Sequence, residues 1–149
     1  MIIQWSIEGK KELSRNLQGV SLAMKDWKAP LDRAATSLIK VFSKDVFATR
    51  GGAIGSKWAP LSPATIARKA RGNTPLIETG SMQDSFRKEV HADHAIIGND
   101  SPHFKYHQSN KPRTRLPRRP MMKLGNAQKE MIVREFNKEF QSKIKRKYA

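Results

Sequence analysis

Between two stretches of helical period lies a segment, GGAIGSKWAPLSPATIARKARGNTPLIETG from Gly51 to Gly80, that no long helix or strand can cross. Paired glycines open it, Gly80 closes it, and Pro60, Pro63 and Pro75 remove backbone donors along its length. A chain with such a segment must turn there and hang its regular elements on either side. Ser62 before Pro63 is a strong helix start, serine at N-cap and proline at N1, and predicts a short helix over Ala64–Ala70. Asn73-Thr74-Pro75 reads as a turn, and Met82–Ser85 as a further helical turn. Trp58 is the one large aromatic of the segment. It is read either as a core plug or as an anchor for a partner, with the plug favoured.

Ahead of this segment, Ile3, Trp5 and Ile7 alternate with polar residues up to Gly9, which is strand period. From Glu12 the period changes, and Leu13, Leu17, Val20, Met24 and Trp27 fall on one helix face, with Gly19 tolerated inside it. Pro30 suits the first turn of a second helix, whose stripe is Leu31, Ala35, Leu38, Phe42 and Val46 and which stops at Gly51-Gly52. An antiparallel hairpin and one long helix kinked at Pro30 are both open readings. Beyond the segment, a β-hairpin is predicted from Ser85–His91 and His94–Gly98, closed by Asn99, Asp100, Ser101 and Pro102. Lys105–Asn110 reads as a helical turn. A final helix is predicted over Gly125–Lys147, with the stripe Val133, Phe136, Phe140 and Ile144 and basic residues at its carboxyl end.

These elements predict an α+β fold: long helices packed on a small, mostly antiparallel sheet, with an extended basic Pro-rich loop and a C-terminal helix. The order of elements is not the alternation of a doubly wound sheet. At 149 residues the length suits a single domain spanning 1–149. The hydrophobic share, 38%, suits a modest core. The amino terminus has no apolar run of secretory length, and no stretch approaches the ~20 apolar residues of a membrane span. A soluble, unprocessed chain with no membrane partner is expected. The absence of cysteine excludes disulfides and thiolate metal sites.

Charge is the strongest compositional signal: 29 Lys+Arg against 13 Asp+Glu leave a formal +16. Such an excess implies an anionic or acidic partner. It peaks between Lys105 and Lys129, where Lys105, Lys111, Arg113, Arg115, Arg118, Arg119, Lys123 and Lys129 occur without an acid and Pro112, Pro117 and Pro120 prevent a helix. A run of this kind can neutralise several phosphates without reading sequence. Aromatic interleaving is thin, with Phe104 and Tyr106 at its start only, so a single-strand stacking platform is poorly supported. The competing reading is a proline-stiffened limb docking on an acidic protein neighbour, and it is the favoured one.

Catalytic constellations are not visible. No serine sits in a nucleophile elbow, no phosphate-binding loop is present, and the acids are scattered. His103 and His107 share a spacing that could ligate a metal, with Asp100 nearby. Zinc wants three or four ligands, and a polar turn is the simpler reading. His91 and His94 flank the hairpin turn and read as solvent-facing. No cofactor and no enzymatic activity are expected.

The order of short motifs carries a resemblance. Trp58-Ala59-Pro60-Leu61-Ser62-Pro63-Ala64-Thr65 is followed by Lys69, then by Leu76-Ile77-Glu78-Thr79-Gly80-Ser81-Met82. Ile97-Gly98, Tyr106-His107-Gln108 and Pro117-Arg118-Arg119-Pro120 complete the succession. It resembles the virion morphogenesis, or tail-completion, family of Mu-like and related tailed phages over roughly residues 40 to 125. The pattern departs from the family where the His-Gln pair follows Tyr106 without a spacer and where Ser109-Asn110 replaces a glycine.

The resemblance implies a non-enzymatic structural protein of the virion neck or tail, present in the host cytoplasm during assembly. It implies a homo-oligomeric ring, such as a hexamer, joining connector and tail proteins, with packaged DNA as a further non-specific contact. The residues expected at these interfaces are Trp58, Tyr106, His107, Gln108, Lys111, Arg113, Arg115, Arg118 and Arg119. Replacing Arg118 and Arg119 together is expected to block particle joining and leave the isolated domain folded. The alternative is a small basic protein that binds nucleic acid without regard to sequence, and a metal-dependent hydrolase using His103 and His107 is a weaker third.

Overall fold

The computed structural model of the chain describes residues 2–6, 25–70, 72–111 and 115–148. The expected helix bearing Leu13, Leu17, Val20 and Met24 lies outside the described residues, as does Ile7.

Strand β1 (Ile3–Ser6) forms where the period-two run predicts it. Helix α1 (Lys28–Lys40) carries Pro30 in its first turn, where the missing donor costs little. Residues 25–27 ahead of it are not helical. The Trp27 N–H donates instead to the Ala92 carbonyl at 2.8 Å, so one helix kinked at Pro30 is not what forms. After Lys40 the helix loosens into a π-helical stretch (Val41–Asp45) and ends in a short α2 (Val46–Ala48). Leu31, Ala35, Leu38, Phe42 and Val46 are all buried, as their spacing predicts. The wider π turn also brings Phe47 inward, a position that a uniform helical period leaves off the stripe.

The run ends in the Schellman pattern, with Arg50 N–H on the Phe47 carbonyl at 3.2 Å and Gly51 N–H on the Val46 carbonyl at 2.7 Å. The left-handed cap residue is Arg50, at φ 50°, one position ahead of the two glycines. Glycine occupies that conformation without a Cβ penalty, so Arg50→Gly is expected to stabilise the fold by about 0.5–1 kcal/mol. Its unfolded-state entropy offsets part of the gain. A shift of the urea midpoint to higher concentration checks this, and a fall in midpoint rejects it.

A 3-10 turn (Gly52–Ile54) leads to helix α3 (Pro63–Arg68). Ser62 caps α3 as expected, its Oγ accepting from Thr65 N–H at 3.2 Å. One turn, α4 (Ser81–Asp84), precedes strands β2 (Phe86–Val90) and β3 (His94–Asn99). The three strands are antiparallel in the order β1-β3-β2, with Trp5 opposite Ala95 and Lys88 opposite Ile97. Ala95 and Ile97 of central β3 are fully buried, and α1 packs on β2 and β3.

Helix α5 (Phe104–Gln108) and the long α6 (Asn126–Tyr148) follow. The second of these lies along α1, where the Trp27 ring meets Phe136 at 5.4 Å and Arg33 bonds both Glu135 and Glu139 at 3.0 Å. Lys138, then Arg33, hold the Glu135 carboxyl below its ordinary range. The expected α6 stripe is corrected at one residue. Val133 is 56% exposed, and its neighbour Ile132 packs on the core together with Met131, Phe136 and Phe140. Adjacent Ile132 and Val133 satisfy the spacing to Phe136 about equally well, and what sets the phase is buried Gln128, whose Nε2 donates to the Ala53 carbonyl at 2.9 Å.

The buried side chains form one cluster joining α1, β3, Trp58 and Met121-Met122. The architecture is α+β, with helices on a small antiparallel sheet.

Candidate functional site

The segment around Trp58 and the end of the basic loop are both extended, and they cross. Trp58 is 5% exposed, with its ring edge-on to Phe47 at 5.4 Å. Its indole N–H donates to the Pro120 carbonyl at 2.7 Å. In return Arg119 reaches back, Nε to the Ala59 carbonyl and Nη2 to the Pro60 carbonyl, each at 3.0 Å. Each strand of the crossing thus supplies the donor for the carbonyls of the other, and backbone groups that proline cannot pair by ladder are satisfied by side chains. Burial lowers the pKa of the Arg119 guanidinium below its ordinary value. Among the described residues, its partners are carbonyls and no carboxylate pairs with it.

Gln108 extends the clasp. Its Oε1 accepts from Met121 N–H at 2.8 Å and Met122 N–H at 3.0 Å, while its Nε2 donates to the Met122 carbonyl at 2.6 Å. The carboxamide acts as a neighbouring strand would and pins Met121 and Met122 into the core. The His107 carbonyl accepts from Arg119 N–H at 3.2 Å.

Elsewhere the same logic recurs. Asn99 Nδ2 donates to the Met82 carbonyl at 2.7 Å. Lys69 Nζ bonds the carbonyls of Thr74, at 2.8 Å, and Ile77, and lies 3.7 Å from Glu78. Trp58, Lys69, Gln108 and Arg119, each from a different motif of the succession, therefore hold other parts of the chain in place.

The basic loop is not a free limb. Arg119, Pro120, Met121 and Met122 are buried, and among the described residues ahead of them Asn110, Lys111, Arg115, Pro117 and Arg118 are exposed. Two apolar methionines after the proline are what draw the chain back in. Of the residues expected at interfaces, Trp58, Gln108 and Arg119 point into the chain's own fold. His107 is half-buried on α5, Lys111, Arg115 and Arg118 are exposed, and Arg113 lies outside the described residues. Tyr106, 40% exposed, shares a cleft of about 190 Å³ with Ser109, Lys111, Leu116 and Arg118, and Lys105 Nζ sits 5.2 Å from its ring centre. Replacing Arg118 and Arg119 together would therefore disturb the clasp as well as the surface, since Arg119 is buried and bonded within it and Arg118 is exposed.

Sequence reasoning passed over Arg50 and Lys57, exposed cations beside the clasp, while Lys123, counted in the basic run, has its Nζ 3.2 Å from Ser56 Oγ. Their adjacency to Gly51 and Trp58 was the available signal. His103 and His107 lie around α5, and among the described residues no group of three His, Asp or Glu assembles that could hold a metal. His91 and His94 stack at 4.4 Å and bond Glu89 and Asp93. No described helix is long and apolar enough to cross a membrane.

A second exposed feature is the excursion from Leu61 to Gly80. None of the α3 side chains is buried, and Ile66 is 40% exposed. Lys69 ties the end of α3 to the Thr74 and Ile77 carbonyls, and Leu76 and Ile77 pack against the core, so it is α3 that stands exposed.

No curated protein and no solved structure matches the chain. The model of the phage virion morphogenesis family matches residues 9–141, a span that contains the clasp, the α3 excursion and most of α6. With the Trp-Ala-Pro-Leu-Ser-Pro and Pro-Arg-Arg-Pro motifs joined in space as well as in order, the chain belongs to the phage virion morphogenesis family.

Proposed function

We propose that this protein is a non-enzymatic structural component of the head–tail junction, a neck or tail-completion subunit that joins connector and tail as a homo-oligomeric ring. It acts by adhesion. The clasp fixes a rigid body, the α3 excursion and the outer face of α6 dock on neighbouring subunits or connector, and the basic loop turns its cations toward an anionic neighbour. Family membership supports a role in virion assembly, and hence presence in the particle and in the host cytoplasm while it is built.

The observation that carries the junction reading is α3. A helix of this length is not stable by itself, and here it buries no side chain yet presents Ile66 to solvent. Closed by Lys69, it has the form of a knob waiting for a socket, and a heterologous knob-and-socket contact closes into a ring when the rotation permits. Ile66→Asp is expected to leave the isolated subunit's melting unchanged and to weaken its assembly by roughly thirtyfold, as loss of an interface anchor does. Complementation of a phage lacking the gene should then yield unjoined heads and tails. Joined, infectious particles at wild-type titre would remove the knob from the assembly.

A further inference from the structure

The two crossing segments alternate inward and outward. Trp58 and Arg119 point in, and the residues just before them, Lys57 and Arg118, are exposed. Arg50 lies next to Lys57, because Trp58 N–H donates to the Arg50 carbonyl at 2.7 Å. Lys123 is brought to the same place by its bond to Ser56, the residue preceding Lys57. Four exposed cations are therefore attached to the two segments that form the clasp or to residues bonded to them.

Among the described residues none of the four has a carboxylate partner, while Arg33, Lys69, Arg87, Lys88 and Lys138 all do. The carboxylates Asp32, Glu78, Asp100, Glu135 and Glu139 are each paired with one of those other cations. Arg50 adds an independent sign. It holds a left-handed backbone at φ 50°, where glycine would be less strained, immediately before two glycines. Strain kept at a position whose side chain forms no ion pair points to a use outside the fold.

We infer that Arg50, Lys57, Arg118 and Lys123 form a contact surface for the phosphate backbone of double-stranded nucleic acid, bound without sequence selection. The contact goes beyond the joining role and does not depend on it. A protein partner would want an apolar or aromatic anchor at the centre of such a patch. Among the described residues the large apolar side chains that are exposed are Ile2, Ile66, Tyr106 and Val133, and of these Tyr106 stands near this group, in the cleft it lines with Arg118. Four cations held by crossing backbones and no anchor among them suit a polyphosphate, and the scarcity of exposed rings suits a duplex more than an unstacked strand.

The test is anisotropy of a labelled duplex of mixed sequence, about 30 base pairs long, titrated with the full chain at several salt concentrations. Four phosphate contacts predict a loss of roughly a hundredfold in affinity between about 50 and 200 mM salt. Lys57→Gln, Arg118→Gln and Lys123→Gln should each weaken binding by roughly tenfold at the lower salt and make the salt dependence shallower by about 0.9 in log–log slope. Arg50→Gly separates binding from folding, since it should lose the same affinity while the chain becomes more stable. Lys145→Gln, an exposed cation on α6, is the control and should bind as the wild type does. Unchanged affinity in the four variants, or an equal loss in Lys145→Gln, overturns the assignment. If poly-glutamate displaces the duplex at equal charge concentration, the surface is one for an acidic protein, and the nucleic-acid assignment fails.

Discussion

Gly51→Ala is expected to destabilise this protein by about 2–4 kcal/mol or more. Gly51 sits at φ 84°, and a Cβ built on it would lie 2.0 Å from the Ser56 carbonyl oxygen and 2.7 Å from Trp58 Cδ1. Neither neighbour can yield cheaply. Ser56 is tied to the same glycine, its N–H donating to the Gly51 carbonyl at 3.0 Å, and the Trp58 ring is held between Phe47 and the Pro120 carbonyl. Left-handed strain of about 1 kcal/mol adds to an overpacking cost of about 1–3 kcal/mol or more. Against a typical stability of about 5–15 kcal/mol, that is a substantial fraction. Urea denaturation followed by tryptophan fluorescence reads the effect directly. A variant within about 1 kcal/mol of wild type would show that the glycine is not needed for the close approach. The contrast with Arg50→Gly sharpens the test, because two adjacent residues at positive φ are expected to respond with opposite signs. At Arg50 only the backbone angle matters; at Gly51 the space is also filled.

Arg119→Ala should cost about 2–4 kcal/mol, the second largest effect. The substitution strips donors from the Ala59 and Pro60 carbonyls, leaves a hole beneath the crossing, and loosens the Pro120 carbonyl that Trp58 uses. Arg119→Met keeps the stem and loses only the donors, so it should fall between wild type and alanine. Were the methionine variant as stable as wild type, the clasp would be packing and not hydrogen bonding. Arg118→Ala, one residue away and exposed, is expected to stay within about 0.5 kcal/mol of wild type. Chemical denaturation of the three variants side by side settles which of the two adjacent arginines supports the fold.

That pair illustrates how far the primary structure could be read. As letters Arg118 and Arg119 are the same residue in the same basic run, and both were assigned to an interface. Alternation along an extended chain sends one to solvent and the other inward, and which is which depends on Met121 and Met122 being drawn into the core. The α6 stripe has the same character. Ile132 and Val133 fit the helical period about equally, and Gln128 on the Ala53 carbonyl chooses between them.

What the order of residues determined unaided was everything governed by local rules. Period placed α1, β2, β3 and α6, the Ser62-Pro63 signal placed α3, and the glycines and prolines marked where regular structure had to stop. The motif succession pointed to the family, and the charge excess raised the expectation of an anionic partner. Tertiary structure alone decided the partners of those motifs. Trp58 and Pro120, or Gln108 and Met122, meet because long-range packing brings two proline-bearing segments together, and each segment has backbone carbonyls that no ladder can satisfy. A local reading sees donors and acceptors without knowing which will be neighbours. It therefore assigned Gln108 and Arg119 to outward contacts, although both hold the body shut.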